Sequence, residues 1–340
     1  PVVKGRAYGH GAVEAARTFL QAGASGLAVS ALAAAVELRD GGVDAPVFVM
    51  NPVVPWQADT YAALRITASL ADLAAAEALS QAVSAADGVE PLPVHVKVDT
   101  GLGRFGLMPE EVVPFVEQLH RLPGLQVQGI FTHLASADEE DKSFARLQLD
   151  TFESVLDALA SRGLRPSLAH AANSPATLAL PESHFEMVRN GLAVYGLYPS
   201  PSTRRAAEEA GVKLWPAMSL KARVVAVRRV AKGTPIGYGS TFRTDRETTI
   251  VTLPIGYSDG VSRLLSGKLE VLVHGQRRPV VGRICMNHCM VDAGDLPVQR
   301  GDVVTLLGVD DTGAEIHADE WAARLGTIAY EVLCMVGSRN

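Results

Sequence analysis

Up to about residue 200 the chain alternates between short apolar runs and longer stretches whose apolar residues recur at helical spacing. The short runs lie at residues 27–30, 47–50, 94–98, 127–133 and 167–170. Between them come an Ala-rich stretch at 70–83 and a stretch at 148–162 in which Leu149, Phe152, Val155, Leu156 and Leu159 share one helical face. A strand followed by a helix, repeated, enforces a parallel sheet, because parallel neighbours need a crossover and the helix supplies it. The pattern predicts an α/β chain whose N-terminal part is a (β/α)8 barrel with helices outside. After Trp215-Pro216 the texture changes to β-branched runs divided by Gly and Asp, at 220–230, 248–255, 269–273, 280–286 and 303–307. Those runs predict a separate, mostly antiparallel β domain. The expected domains are therefore a barrel over residues 1–205 and a β domain over 214–340. The polar segment 200–211 marks the boundary, and its Ala-Glu-rich part is itself a candidate short helix.

A chain of 340 residues with 48% hydrophobic and 20% charged content can bury a large core. Its formal charge of −6 provides no basic stripe for a nucleic acid, so a small-molecule substrate is favoured. Charges interrupt the apolar runs and nothing at the start reads as a signal peptide, which predicts a cytoplasmic protein. Cys285, Cys289 and Cys334 are odd in number and lack paired CxxC spacing, so they read as reduced thiols rather than as a disulfide framework or a metal site.

On a barrel frame the polar residues fall where strands end, the face on which such barrels carry their sites. Lys4 ends the first strand. Asp99-Thr100-Gly101-Leu102-Gly103-Arg104 follows the strand at 94–98, Thr132-His133 follows the next, and His170 with Asn173-Ser174 follows the one after. Arg189 precedes Asn190-Gly191-Leu192 late in the barrel, where backbone N–H groups commonly hold a phosphate. A lysine together with such a phosphate site suggests pyridoxal 5'-phosphate, which needs an amine for its aldehyde and an anchor for its phosphate. Plainer readings stand beside it: a solvated strand-end lysine, a helix cap at Asn173-Ser174 and a surface ion pair at Arg189.

Six separated motifs carry a resemblance over nearly the whole chain. They are Val2-Val3-Lys4-Gly5-Arg6-Ala7-Tyr8-Gly9-His10-Gly11, Lys97-Val98-Asp99-Thr100-Gly101-Leu102-Gly103-Arg104-Phe105-Gly106, His170-Ala171-Ala172-Asn173-Ser174, Gly237-Tyr238-Gly239-Ser240-Thr241-Phe242, Pro254-Ile255-Gly256-Tyr257-Ser258-Asp259-Gly260 and Ile328-Ala329-Tyr330-Glu331-Val332. In this order they resemble the bacterial alanine racemases of the pyridoxal-phosphate fold type III. The resemblance implies interconversion of L-alanine and D-alanine, supplying D-alanine for peptidoglycan. Lys4 would hold the cofactor covalently and exchange the α-proton on one face, and Tyr238 of a neighbouring subunit would do so on the other, so a homodimer follows. Two bases are needed because a proton removed from one face must be returned from the opposite one. Lysine amines and tyrosine phenols titrate near ~10, so a cationic surround must help them, and Arg104 and His133 suit that role.

The same resemblance places Arg104 near the cofactor's phenolic oxygen and the substrate carboxylate, and His133 against the pyridine ring. It sets Arg189 at the pyridine nitrogen with His170 behind it. A guanidinium does not give up its proton, so the ring would stay unprotonated and be a weaker electron sink, which limits transamination. Tyr8, Ser174, Gly191, Leu192 and Tyr330 would bind the phosphate, and the backbone N–H of Met286 the substrate carboxylate. Lys97 matches a position that is often carbamylated, a charge that would hold Arg104; a lysine paired with an acid is the alternative. Tyr257, Tyr238 and Tyr330 match an inner substrate gate, and Arg263, Arg283, Ile328 and Asp138 its next layer, leaving room for little beyond a methyl side chain.

Several positions depart from the family pattern. Gly5-Arg6 replaces Ala-Asn, Met286-Asn287-His288 replaces Met-Asp-Gln, Ala329 replaces Asn and Ser136 replaces a gate Ala. Losing a carboxylate at Asn287 makes the local field more positive and bears on selectivity more than on reaction type. The chain begins three residues before Lys4 and its tail is short by the family standard, so the start of the first barrel unit is expected to be missing from the sequence as given. The competing readings are a broad-specificity racemase for serine or basic amino acids, a barrel-type decarboxylase, and a cofactor carrier without catalysis. Arg189 argues against the second, which pairs its pyridine nitrogen with a carboxylate. Tyr257 and Tyr330 argue against a wide gate, and residues 214–336 have no place in a single-barrel carrier.

Overall fold

Six strands hydrogen-bond side by side in chain order, every pair parallel, in a computed structural model that describes residues 1–85 and 90–338. They are β1 (Leu27–Val29), β2 (Val47–Pro52), β3 (Thr67–Leu70), β4 (Leu92–Lys97), β5 (Leu125–Phe131) and β6 (Leu168–His170). The staves on either side are too short to count as strands, yet their backbone bonds close the ring. Val3 N–H donates to the Ala28 carbonyl at 2.8 Å, Val2 N–H to the Asn190 carbonyl at 2.7 Å, and Arg189 N–H to the Ala172 carbonyl beyond β6 at 2.9 Å. Eight staves thus meet around one axis, which is the barrel architecture expected from the alternation. Helices between the strands bury one stripe each. In the helix Ser143–Ala160 that stripe includes Leu149, Phe152, Val155, Leu156 and Leu159.

The strand β3 was not anticipated from the sequence, where the helix at 70–83 was expected to begin at Leu70. The structure puts Leu70 at the end of a strand and starts the helix at Leu73, with the Asp72 carboxylate accepting from Ala75 N–H at 2.8 Å. Thr67–Leu70 is buried on both faces, so it lacks the alternation that marks a half-exposed strand.

The molecule divides into two compact units, one of residues 1–7 and 12–214, the other of residues 8–11 and 215–340. Ser200 caps the helix Pro201–Glu209 within the first unit. The second unit is antiparallel throughout its main sheet. Its strands are β7 (Leu220–Arg223), β8 (Ala226–Val230), β9 (Pro235–Ile236), β10 (Phe242–Arg243), β11 (Thr248–Leu253), β12 (Glu270–Val273), β13 (Gln276–Val281), β14 (Cys289–Gly294), β15 (Val303–Val309) and β16 (Glu315–Ile316). The eight-stranded path runs β16-β15-β12-β13-β14-β11-β8, with β7 joined to β15, and β9 and β10 form a separate pair. Two expected runs change shape. Residues 220–230 break into β7 and β8, and 280–286 stops being strand at Val281 because Gly282 turns to φ 70°, tight against the Ile236 carbonyl. Among the described residues no helix is long and apolar enough to cross a membrane.

Candidate active site

The barrel strands run with the same polarity, so their C-terminal ends deliver side chains to one face. Lys97 ends β4, His133 lies two residues past β5, and His170 ends β6. Lys4 follows the short first stave, and after it Gly5, Arg6, Ala7 and Tyr8 all take left-handed backbone with φ of 53–60°. That conformation costs roughly 1–2 kcal/mol for each residue carrying a Cβ, so the surrounding fold must impose it. The loop after β4 is tied by Asp99, whose carboxylate accepts from Gly101 N–H at 2.9 Å and Gly103 N–H at 3.1 Å. The loop leaves Arg104 exposed, its guanidinium 5.7 Å from the Phe105 ring.

Arg189 is the buried centre of this face, 4% exposed, and so is not a surface ion pair. Its Nη1 lies 2.6 Å from His170 Nδ1, and its Nη2 donates to the Thr132 carbonyl at 2.7 Å and the Ala171 carbonyl at 3.1 Å. Nη2 is also 3.3 Å from His133 Nδ1. Burial lowers its pKa to about 9, which leaves it charged at neutral pH. Among the described residues no carboxylate bonds to it. His133 is held well below the ordinary imidazole range, first by burial and then by the charges of Arg189, Lys97, Arg104 and Lys4, so it is neutral near pH 7. Lys97 is 4% exposed, donates to the Val98 carbonyl at 2.9 Å and lies 5.0 Å from the Phe131 ring. Burial, then Arg189, pulls its amine down to about 7, with Asp99 opposing.

The remaining first-unit residues gather near the barrel's last stave. Ser174 opens the helix Ser174–Ala179, whose cap is Asn173, and its Oγ accepts from Gly191 N–H at 2.8 Å and Ala193 N–H at 3.2 Å. A hydroxyl accepting twice keeps its own proton to donate, and Leu192 begins the turn beside it. Asp138 is exposed, and its carbonyl accepts from Ser200 Oγ at 2.6 Å.

In the second unit Tyr8 and Tyr330 pair, with ring centroids 6.0 Å apart, and burial, then the neighbouring Tyr330, raises the Tyr8 pKa. Tyr257 and Met286 meet through two zipped turns. Tyr257 N–H donates to the Cys285 carbonyl at 3.0 Å and Ser258 N–H to the Met286 carbonyl at 3.0 Å. Asn287 Nδ2 donates to Ser258 Oγ at 2.8 Å, which donates on to the Met286 carbonyl at 2.8 Å. Asn287 thus makes a bond that the aspartate of the family pattern cannot make in this direction. His288 is exposed. Tyr238 is 71% exposed in a turn where Gly237 and Gly239 both have positive φ. Arg263, Arg283 and Ile328 are exposed as well, and Ala329 is buried at the start of the helix Ala329–Gly337.

The sequence reading missed a polar tier beneath this face. Gln148 donates to Thr100 Oγ1 and to the His133 carbonyl, each at 3.2 Å, and accepts from Ala135 N–H at 2.8 Å. His95 lies one layer below Lys97, its Nδ1 2.7 Å from His170 Nε2. A signal existed, since residues 95 and 97 share a face of one strand by the period of two.

The residues fit a pyridine-ring cofactor on one structural test. Arg189 Nε is buried and has no hydrogen-bond partner among the described residues. A donor-only group held without an acceptor suits a ring nitrogen that accepts, and does not suit a protonated one.

Fold and site together define a β/α-barrel enzyme with an antiparallel β domain, its polar side chains gathered at the C-terminal ends of the barrel strands. Comparison with known proteins narrows this. Residues 1–199 match the family model for the alanine racemase N-terminal domain, and residues 217–340 that for its C-terminal domain. The chain is 44% identical to an alanine racemase of Desulforamulus reducens, covering 99% of this chain and 89% of that protein. It is 42% identical to one of Methanococcus maripaludis, with 99% and 89% covered. The solved alanine racemase of Clostridium difficile superposes with a TM-score of 0.90 at 35% identity, covering 98% of this chain and 85% of that one. The chain belongs to the alanine racemase family, isomerases acting on amino acids for which dependence on pyridoxal phosphate is typical.

Proposed function

We propose that this chain interconverts L-alanine and D-alanine with two bases, Lys4 and Tyr238, on opposite faces of the substrate. The cofactor in this reading is pyridoxal 5'-phosphate, which when bound draws electrons from the α-carbon and acidifies its hydrogen. Lys4 would carry it through its amine, His133 would pack on the ring, and Arg189 would donate to the ring nitrogen from Nε. Ser174 and the Gly191 and Leu192 backbone are assigned to the phosphate in the first unit, Tyr8 and Tyr330 in the second. Arg104 and the Met286 N–H take the substrate carboxylate. Tyr257, Tyr330, Arg263, Arg283, Ile328 and Asp138 are the gate. The protein is read as a cytoplasmic homodimer in which each subunit's Tyr238 serves the site of the other, making D-alanine for peptidoglycan.

The observation that carries the reading is the buried Arg189, which has no acidic partner and no hydrogen bond from Nε among the described residues. Arg189 and Arg104 add positive charge around a neutral His133, a field that favours removal of a proton from nearby groups. Carbamylation of Lys97 belongs to the same proposal, because only an uncharged amine adds carbon dioxide and this one is lowered to about 7.

The test is D-alanine formation from L-alanine with added pyridoxal phosphate, beside L-serine, L-lysine and L-arginine, for the native chain and Tyr238→Phe. Fast alanine turnover, with Tyr238→Phe losing proton exchange selectively in one direction, is expected. Inert alanine beside a racemised basic amino acid sinks the gate assignment, and absence of any α-proton exchange restores the carrier reading.

A further inference from the structure

The barrel interior holds a row of hydrogen bonds whose direction is set by a single group. An arginine N–H always donates, so His170 Nδ1, 2.6 Å from Arg189 Nη1, must accept. A neutral imidazole that accepts at Nδ1 carries its proton on Nε2, and His170 Nε2 lies 2.7 Å from His95 Nδ1. His95 Nδ1 is therefore the second acceptor, and the His95 proton sits on Nε2. The three residues are 4%, 0% and 3% exposed. Both rings are neutral near pH 7. Burial takes His95 down to about 4, with Arg189 acting the same way and Gln128 opposing, and burial and then Arg189 take His170 well below its ordinary range.

Ring orientation is fixed by packing. Phe131 stacks on His170 at 4.9 Å with planes 3° apart, and Phe48 meets the His170 ring edge-on at 5.7 Å. Gly129 stands opposite His95 in the β4–β5 register and leaves the space its ring fills, since a Cβ there would come within 2.6 Å of the ring.

We propose that His95 is a positioning residue for the reaction above: by accepting from His170 it holds the Nε2–H tautomer, which keeps Arg189 facing His170 with its Nε–H left for the cofactor. This rests on reading Arg189 as the group at the pyridine nitrogen. With no acceptor at position 95, the His170 Nε2–H is buried without a partner. Moving that proton to Nδ1 relieves the loss but sets two donors against each other at Arg189, and the guanidinium turns away.

The experiment compares His95→Asn and His95→Leu with the native protein. Asparagine can place an acceptor oxygen near the Nδ1 position, whereas leucine fills the space with no acceptor. Three quantities are read: the tautomer of His170 from 15N-histidine NMR, assigned with a His170→Asn variant; the pyridoxal phosphate dissociation constant; and kcat and KM for alanine. The native His170 is expected to be protonated at Nε2. Leucine should weaken cofactor binding and lower kcat by roughly 10- to 100-fold, the span of one hydrogen bond to a charged group, while asparagine stays within about threefold. A role in packing alone predicts the reverse order, with leucine better tolerated than the smaller, polar asparagine. A native His170 protonated at Nδ1, or leucine equal to asparagine in cofactor affinity, overturns the proposal. The tautomer measurement needs neither cofactor nor turnover, so native protein that binds no pyridoxal phosphate would sink the functional reading and leave the relay to be judged by NMR.

Discussion

Lys97→Met tests how much the fold spends on burying an amine in a cationic site. Burial and the neighbouring Arg189 bring the pKa of Lys97 from 10.5 to about 7 in the folded chain. At about 1.4 kcal/mol per pH unit this is a cost of roughly 5 kcal/mol for keeping Lys97 protonated when folded. Below pH 7 the amine is protonated in both states, so the folded state bears the whole cost. Between pH 7 and pH 10.5 the unfolded chain holds a proton that the folded one has released, and stability rises with pH by up to about 1.4 kcal/mol per unit. Methionine is close in volume and carries no charge, so its packing change is at most about 1.5 kcal/mol and independent of pH. In carbon-dioxide-free buffer the variant should therefore exceed the native protein by about 5 kcal/mol at pH 6, and the gap should be largely gone at pH 10. Urea unfolding of the cofactor-free protein across that range measures it. A gap that does not change with pH would refute the reasoning. Added bicarbonate near pH 8 should stabilise the native protein and leave the variant unmoved if Lys97 carbamylates.

Other outcomes follow from close contacts. Gly256→Ala would place a Cβ 2.2 Å from the Cys285 carbonyl and 2.5 Å from that of Met286, forcing the two turns apart; KM for alanine should rise about tenfold, equivalent to about 1.4 kcal/mol, and an unchanged KM would remove Met286 from the carboxylate site. Gly129→Ala meets three atoms of the buried His95 ring at 2.6–2.7 Å and should cost about 1–3 kcal/mol in chemical denaturation. Ser174→Ala strips the acceptor from Gly191 and Ala193 N–H, and a titration should find pyridoxal phosphate bound roughly 10- to 100-fold more weakly; undiminished affinity would place the phosphate elsewhere.

The two kinds of periodicity in the sequence were enough to determine a parallel barrel followed by an antiparallel domain, because strand alternation and helical spacing are local properties that survive without the fold. The motifs around Lys4, Lys97 and His170 were legible for a related reason, since strand ends in a barrel share one face whatever fills the rest. The short strand β3 was hidden because burial on both sides erases alternation. The end of β13 was hidden because Gly282 turns against a carbonyl distant in sequence. Tertiary structure alone decided that Arg189 is buried with no acidic partner among the described residues, that Lys97 sits among cations and so loses its proton easily, and that His95 stands behind His170. Those facts depend on through-space electrostatics and on hydrogen bonds between residues 19 and 75 positions apart, which no local pattern of apolar and polar residues encodes.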